Sequence, residues 1–191
     1  NWDSAIDILK KIIAIDSKDN EIRKEILFCF KEKYGNHNQF DEFVRLSSLS
    51  QNWRNIDDAT SDFEKHIAFD AGNFVYHKTW GIGRIKGLQG ENIIIDFLSK
   101  KNHSMSVKMA VNSLTILSRE HIWVIKCTTR KEALREKIKK NVAWTLRTII
   151  KSFNNEADLK RIKLELTPGI LTQNEWVTWR AAAKEELETD P

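Results

Sequence analysis

Residue types that could perform catalysis or hold a metal ion are present in this sequence, but not at the spacings that such chemistry requires. No two histidines lie four residues apart, and Cys29 and Cys127 lack any metal-ligand spacing, so a metal site is not predicted. The motif Gly81-Ile82-Gly83 lacks the length and the following Lys-Ser/Thr of a phosphate-binding loop. The adjacent carboxylates Asp57 and Asp58 would diverge by about 100° on a helix, which does not suit an acid/base pair. We therefore expect a non-catalytic protein without a cofactor, a metal or a small-molecule substrate.

Basic side chains provide a clearer binding signal. The stretch from Lys126 to Arg161 contains 11 basic and 4 acidic residues, a bias that suits phosphate or an acidic protein surface. A solvated helix face has the same composition, so that alternative stays open. If this stretch binds the DNA or RNA backbone, the candidate residues are Arg130, Lys131, Arg135, Lys139, Lys140 and Arg147.

Composition predicts a globular protein of a reducing compartment, which we take to be the cytoplasm. The 191 residues suit one large or two small domains, and the 41% share of hydrophobic residues can bury a core. Two cysteines are too few for a disulfide framework. No apolar run approaches the roughly 20 residues of a membrane span, so no membrane contact is expected. Because the sequence begins at Asn1 and stops at Pro191, we expect it to be a segment of a longer protein.

Helical periodicity dominates the first third of the chain. Apolar residues recur at helical spacing over 2–13 and 22–34, with a polar turn at 16–20 between them. Two shorter helices follow over 40–46 and 56–67, the second capped near Asn55. Two helices joined by a short turn form an αα-hairpin, the unit of TPR-like solenoids. We therefore predict that 1–68 is a helical domain at the end of a longer solenoid.

The periodicity changes at Phe69. Five of the seven glycines lie between Gly72 and Gly90, and short β-rich runs alternate with turn residues. These runs are 74–77, 82–88, 92–97, 103–108 and 114–117. They predict a five-stranded SH3/Tudor-like β-barrel over 69–118, with a 3₁₀ turn at 109–112 and no strand before residue 69. With helices on both sides, the fold class is α+β.

The last third is predicted to be a helical subdomain, 119–191. A long amphipathic helix covers 134–153 and a shorter one covers 159–166, while 121–126 could be a helix or a strand. The final helix begins at a capping box formed by Thr172 and Glu175. We expect Trp176 and Trp179, on one face of that helix, to pack against 134–153.

A motif at the start of the predicted barrel resembles a known signature. Residues 72–85, Gly-Asn-Phe-Val-Tyr-His-Lys-Thr-Trp-Gly-Ile-Gly-Arg-Ile, are similar to the opening of Tudor-like domains attached to bacterial transcription proteins. The C-terminal domain of UvrD/PcrA-type helicases opens this way. The RNA polymerase-interacting domain of CarD and of the transcription-repair coupling factor is a looser relative. The similarity continues through 93–97 and ends with 109–114, so it covers about fifty residues.

The order of the segments resembles a second family. TPR-like helices, this barrel and then residues 166–176 resemble the N-terminal extension of long Gre-type (GreA/GreB) transcription elongation factors of spirochaetes. In that family the coiled coil that stimulates transcript cleavage lies further downstream. The resemblance implies association with RNA polymerase and nothing catalytic in this segment.

The barrel residues that would contact the polymerase follow from this resemblance. A partner strand could pair along a free sheet edge, with basic side chains beside it to attract an acidic surface. The candidate residues are Tyr76, His77, Trp80, Arg84, Lys86, Lys100, Lys101 and His103. Trp80 could instead be a lid on the core, His77 could satisfy a backbone group beside the turn, and Tyr76 could belong to an aromatic cage for methylated lysine. A spacer in a multidomain protein is a third alternative to the polymerase-binding and nucleic-acid-binding hypotheses.

Overall fold

The chain forms two compact units. The computed structural model describes residues 1–16 and 19–189, so part of the turn predicted at 16–20 lies outside the described residues. The first unit is Asn1–Ile116 and the second is Leu117–Pro191. The helices before residue 69 belong to the first unit together with most of the sheet. The finer division into three domains stays a prediction.

Four helices open the first unit: α1 (Trp2–Ile13), α2 (Asn20–Tyr34), α3 (Phe40–Ser47) and α4 (Ile56–Ile67). The predicted cap of α4 is confirmed, because Asn55 Oδ1 accepts hydrogen bonds from the amides of Asp57 and Asp58 at 2.9 and 3.2 Å. The apolar faces of these helices meet in one core. Its largest fully buried side chains include Phe30, Phe43, Phe63, Ile13 and Ile26.

Five strands and one helix follow: β1 (Phe74–His77), β2 (Gly81–Gln89), β3 (Asn92–Phe97), β4 (His103–Ser106), α5 (Val107–Ser113) and β5 (Leu114–Leu117). The strands form a curled antiparallel half-barrel in the order β4-β3-β2-β1-β5. Five strands after residue 69, and none before it in the described part of the chain, confirm the predicted number and position of the strands, and the sheet they form is a half-barrel. The predicted 3₁₀ turn is wrong, because α5 begins at Val107, where Ser106 Oγ accepts a hydrogen bond from the Met109 amide. This cap also ends the fourth strand earlier than predicted.

Alternation along the strands builds the core of the half-barrel. Ile93, Ile95 and Phe97 are fully buried on one face of β3, as a period of two requires. Gly83 lies opposite Phe97. A Cβ atom there would stand 2.7 Å from Ile95 Cγ2 and from the Phe97 ring. A side chain at this position would therefore require Ile95 or Phe97 to shift.

The second unit contains α6 (Ile122–Thr128), α7 (Lys131–Lys140), α8 (Val142–Ser152), α9 (Leu159–Leu166) and α10 (Gln173–Thr189). The prediction of a single long helix over 134–153 is wrong, because the helix is interrupted at Asn141. The backbone of this residue is not helical, and its Oδ1 accepts a hydrogen bond from the Trp144 amide at 2.9 Å. Asparagine favours such a cap over a helix interior, since its side chain replaces the missing backbone partner.

Two tryptophans of α10 anchor the core of the second unit. Trp176 and Trp179 are each 4% exposed, and their rings stack with centroids 5.6 Å apart. Trp179 Nε1 donates a hydrogen bond to the Ile138 carbonyl at 2.9 Å. Their predicted packing against 134–153 is confirmed. The predicted capping box is confirmed too, because the Thr172 amide donates to Glu175 Oε2 at 2.9 Å and the Glu175 amide donates back to Thr172 Oγ1 at 3.3 Å.

Among the residues that the structure describes, no helix is both long enough and apolar enough to cross a membrane.

Candidate binding surfaces

The core of the half-barrel ends in a group of aromatic and histidine side chains. His77, Phe97 and His103 each continue the inward-facing alternation of their own strand, β1, β3 and β4. Trp80 lies against all three. Its ring stacks on His77 at 4.0 Å between centroids, and its centroid is 4.2 Å from that of His103 and 5.4 Å from that of Phe97. We call these four residues the aromatic mouth.

The turn between β1 and β2 holds Trp80 in this position. His77 Nδ1 accepts hydrogen bonds from the amides of Thr79 and Trp80 at 3.1 and 3.4 Å. This confirms that His77 satisfies backbone groups beside the turn. Gly81 follows with a φ of 70°, which L-residues with side chains rarely adopt. The Trp-Gly step therefore lets the chain reverse while the indole stays over the mouth.

Lys100 and the burial of His103 influence the charge at the aromatic mouth. Lys100, in the loop between β3 and β4, has its Nζ 4.8 Å from the centre of the Trp80 ring, within cation–π range. Burial lowers the pKa of His103, and the charge of Lys100 and the neighbouring His77 lower it further. The lowered pKa favours the neutral form of the His103 imidazole, and Lys100 places a positive charge beside the Trp80 ring.

The other predicted barrel residues lie elsewhere. Tyr76, Arg84 and Lys86 alternate with buried positions of β1 and β2, so they occupy the outer face of the sheet. Arg84 is the cross-strand partner of Asp96. Lys86 Nζ donates a hydrogen bond to Asn102 Oδ1 at 2.8 Å.

Four of the eight predicted contact residues therefore come together: His77, Trp80, Lys100 and His103. Lys101 is exposed beside Lys100 in the same loop. Sequence reasoning missed Phe97, which contacts three rings of the aromatic mouth. The alternation of Ile93, Ile95 and Phe97 would have assigned it to the inward face.

The aromatic mouth adjoins an edge of the sheet. In the strand order β4 is terminal, and His103 is its first residue. An edge strand leaves one row of backbone N–H and C=O groups free of strand partners, which another extended segment can pair with. A half-buried tryptophan, a lysine and an edge strand thus lie side by side.

Two of the basic candidate residues in the second unit form ion pairs within that unit. Arg135 Nη2 and Lys139 Nζ both bind Glu175 Oε1, at 2.6 and 3.2 Å. The Thr172 amide and the Arg135 guanidinium are the main reasons why the pKa of Glu175 is lowered to about 2. Internal partners therefore occupy two of the six basic residues proposed to bind nucleic acid.

The remaining four basic candidates lie at exposed positions. Lys140 forms a long ion pair with Glu136 at 3.8 Å, one helical turn away. Arg130 precedes α7 and Lys131 is its first residue, while Arg147 is exposed on α8. The structure thus spreads the six residues over two helices rather than along one continuous basic helix.

Comparison with known proteins connects both units to one group of relatives. Residues 123–191 match the family model described as the GRAD helix-turn-helix domain. A Treponema pallidum (strain Nichols) protein named for GreA-associated domains is 44% identical over 187 residues, which is 98% of this chain and 28% of that protein. The Borreliella burgdorferi protein named transcription elongation factor GreA is 38% identical over 191 residues, 100% of this chain and 21% of that protein.

The chain thus spans between a fifth and a third of the length of these relatives. Over nearly all of its own length it is similar to segments of proteins whose names contain GreA. No solved structure matches the chain.

Proposed function

We propose that this chain is a non-catalytic binding segment of a transcription elongation protein, and that its first unit contacts RNA polymerase. The similarity to a segment of a protein named transcription elongation factor GreA supports the context. The order β4-β3-β2-β1-β5, with a short helix before the last strand, also supports an SH3/Tudor-like identity for the half-barrel. The α1–α2 hairpin supports a TPR-like identity for the opening helices.

The observation that carries this proposal is the position of Trp80. Tryptophan is enriched among the residues that dominate binding energy at protein interfaces. Stacking on His77 and contact with Phe97 and His103 restrict the ring before any partner arrives. Binding then requires little further loss of side-chain entropy, and the partly exposed indole is available to a partner.

The neighbouring groups define what kind of surface would bind. A strand of the polymerase could pair with the edge of β4, which provides backbone hydrogen bonds with little demand on sequence. Lys100 and Lys101, exposed in the loop that precedes β4, would favour an acidic surface and raise the association rate. Arg84 and Lys86, on the outer face, would lie away from this contact.

Binding of the full chain to purified RNA polymerase tests the proposal. Trp80→Ala should weaken binding by about 30-fold, as expected for a residue worth about 2 kcal/mol at an interface. Trp53→Ala is the matched control, because Trp53 is 75% exposed in the same unit and makes no part of the aromatic mouth. That control should bind like the wild type.

Charge variants locate the contact within the sheet. The double change Lys100→Glu and Lys101→Glu should lower the association rate, while Arg84→Glu with Lys86→Glu, which changes the charge equally, should have a small effect. A loss confined to the Arg84/Lys86 pair would move the contact to the outer face and contradict the proposal. Wild-type affinity of Trp80→Ala, with its fold verified by circular dichroism, would also contradict it.

A further inference from the structure

An open cleft lies on the outer face of the half-barrel. Its volume is about 440 Å³, within the range of about 300–1,000 Å³ that is usual for ligand sites. We call it the outer cleft, and it is lined by Ala71, Gly72, Arg84, Ile85, Lys86 and Asp96. None of its three charged residues belongs to the aromatic mouth, so the polymerase contact proposed above does not use them.

The backbone before β1 forms one wall of the outer cleft. The Gly72 amide donates a hydrogen bond to the Ile85 carbonyl at 2.8 Å, and the Ile85 amide donates one to the Asn73 carbonyl at 2.9 Å. Gly72 has a φ of 89°, a conformation that favours glycine. These bonds hold the chain before β1 alongside β2. Backbone contacts therefore fix this wall, and it does not depend on the rotamer of a surface side chain.

Two cations on β2 line the outer cleft. Arg84 and Lys86 are both exposed there. The register of β2 with β3 shifts between Ile85 and Gly87, so Lys86 has no cross-strand partner. Its Nζ donates one hydrogen bond to Asn102 Oδ1, at 2.8 Å, and an ammonium group has two more to donate. The lysine is thus positioned without its charge being neutralised.

The negative charges nearby do not cancel these cations. Asp96 is the cross-strand neighbour of Arg84 and the single carboxylate among the lining residues, and its Oδ1 accepts a hydrogen bond from the Asn102 amide at 2.8 Å. In the part of the chain that the structure describes, Arg84 forms no ion pair or side-chain hydrogen bond. Glu91, exposed in the turn after β2, does not line the cleft. The cleft therefore has a net charge of about +1 and a guanidinium that can bind an anion.

An aromatic ring borders the Arg84 side of the outer cleft. Phe74 on β1 is the cross-strand partner of Arg84. Both side chains lie on the outer face, because Val75 and Ile85 occupy inward positions of the same strands. Directly opposite residues have Cβ atoms about 5 Å apart. Phe74 is half-buried, so part of its ring remains accessible beside the arginine.

These groups suit a single strand of nucleic acid better than another polyanion. The planar guanidinium of Arg84 matches the geometry of a phosphate, and the Lys86 ammonium adds a second charge. An aromatic ring beside a phosphate site can stack on the adjacent base, as in proteins that bind single strands. An acidic peptide would use the two cations but has no base to place on Phe74. In a duplex the bases already stack on one another, so they are not available to the ring.

We propose that the outer cleft binds single-stranded nucleic acid, with a phosphate on Arg84 and Lys86 and the neighbouring base on Phe74. This is a second activity, independent of the polymerase contact proposed for the aromatic mouth. It also differs from the sequence-based nucleic-acid hypothesis, which relied on basic residues of the second unit.

Fluorescence anisotropy of the full chain with labelled single-stranded dT and rU oligonucleotides of about 12 residues tests the proposal, since single-strand sites span about 4–16 nucleotides. Arg84→Gln with Lys86→Gln should weaken binding by about tenfold or more. The slope of log K against log salt should fall by about 1.4, the value for two contacts with single-strand phosphates. The matched control is Lys78→Gln with Lys108→Gln, which removes the same charge from two exposed positions of the half-barrel outside the cleft. The control should cost less than about twofold in affinity.

Two single variants separate binding from a structural role. Asp96→Asn should strengthen binding by about threefold, because it removes the negative charge beside the phosphate and keeps an oxygen for the Asn102 amide. Phe74→Leu should weaken binding by about fivefold and leave the salt slope unchanged, since leucine fills the position but cannot stack on a base. Circular dichroism verifies that each variant is folded. An affinity that Asp96→Asn leaves unchanged or lowers would contradict the proposed phosphate position.

Competitors and a duplex identify the ligand. Unlabelled single strand should displace the probe at a far lower phosphate concentration than UMP or inorganic phosphate. If UMP competes equally well per phosphate, the ligand is a free nucleotide and the proposal is wrong. Polyglutamate that competes as well as the single strand, or a duplex that binds as tightly, would show general attraction of polyanions and overturn it. Equal losses for the cleft pair and the control pair would overturn it as well.

The two activities fail independently in these experiments. Trp80→Ala should leave the affinity for the oligonucleotides unchanged, and the cleft pair should leave the affinity for RNA polymerase free of nucleic acid unchanged. If the cleft pair abolishes polymerase binding and leaves oligonucleotide binding intact, the outer cleft is a protein interface and the nucleic-acid proposal is wrong.

Discussion

The aromatic mouth and the α7–α10 contact both combine tryptophan with basic side chains. The two regions differ in how exposed the tryptophan is and in what the basic side chain contacts. At the mouth, Trp80 is half-buried and Lys100 lies over its ring. Between α7 and α10, Trp179 is 4% exposed, and Arg135 binds the internal carboxylate of Glu175. Similar residues thus remain partly exposed in the first unit and form internal contacts in the second.

The difference comes from the elements that carry these residues. In the half-barrel, inward-facing positions continue to the end of the strands, where the half-buried rings of His77, Trp80 and His103 lie against the buried Phe97. In the helical unit, α10 has a whole helix to pack against, and its buried side is covered along several turns. A half-buried tryptophan in a turn at the end of the sheet is therefore a better candidate for binding than one in the middle of a packed helix face.

The largest expected effect is a difference between Trp176 and Trp80 in the free energy of unfolding that is lost when each is replaced by alanine. Trp176→Ala should destabilise the second unit by about 3–5 kcal/mol, because it empties a large buried site and removes the stack on Trp179. Trp80→Ala should cost about 1–1.5 kcal/mol, roughly half the value of full burial. Urea unfolding of each variant measures these two losses of unfolding free energy. Equal losses would show that Trp80 is a core residue and weaken the case for its binding role.

A smaller effect tests how tightly the core beneath the mouth is packed. Gly83→Ala should destabilise the first unit by about 1–3 kcal/mol, since its Cβ would overlap Ile95 and Phe97, which must then shift. Gly169→Ala is the control, because nothing lies within 4 Å of a Cβ atom there and its φ is not left-handed. Thermal melts should separate the two variants. If Gly83→Ala melts at the same temperature as the control, the side chains around Gly83 can accommodate the added methyl group at little cost in stability.

The smallest expected effect is the pH dependence of the stability that Glu175 contributes through its ion pairs. Because the pKa of Glu175 is lowered from 4.5 to about 2 in the folded chain, its contribution to stability is present above pH 4.5. That contribution should be lost progressively as the pH falls from 4.5 to 2. Glu175→Gln should be less stable than the wild type at pH 7, and the difference should vanish near pH 2. A difference that persists unchanged at pH 2 would exclude the carboxylate as its source.

Several features of the candidate sites could be predicted because local interactions determine them. Asn55 caps α4 and Thr172 pairs with Glu175 through bonds that span at most three residues. The role of His77 beside its turn is of the same kind. The break at Asn141 was missed because the apolar spacing of Leu134, Ile138, Val142 and Leu146 continues through it. Periodicity alone cannot show that a capping side chain interrupts the helix.

The sequence by itself determined where the strands begin, which helices are amphipathic, and that Trp176 and Trp179 lie on an inward stripe, because these depend on residue type and short-range periodicity. Only the tertiary structure decided which charges remain available for binding. Arg135 and Glu175 are 40 residues apart, yet a 2.6 Å contact joins them. In the same way, Trp80 meets His103 because the antiparallel strands return the chain to the same end of the half-barrel. Contacts between distant segments arise from how whole elements pack, and no local pattern encodes them.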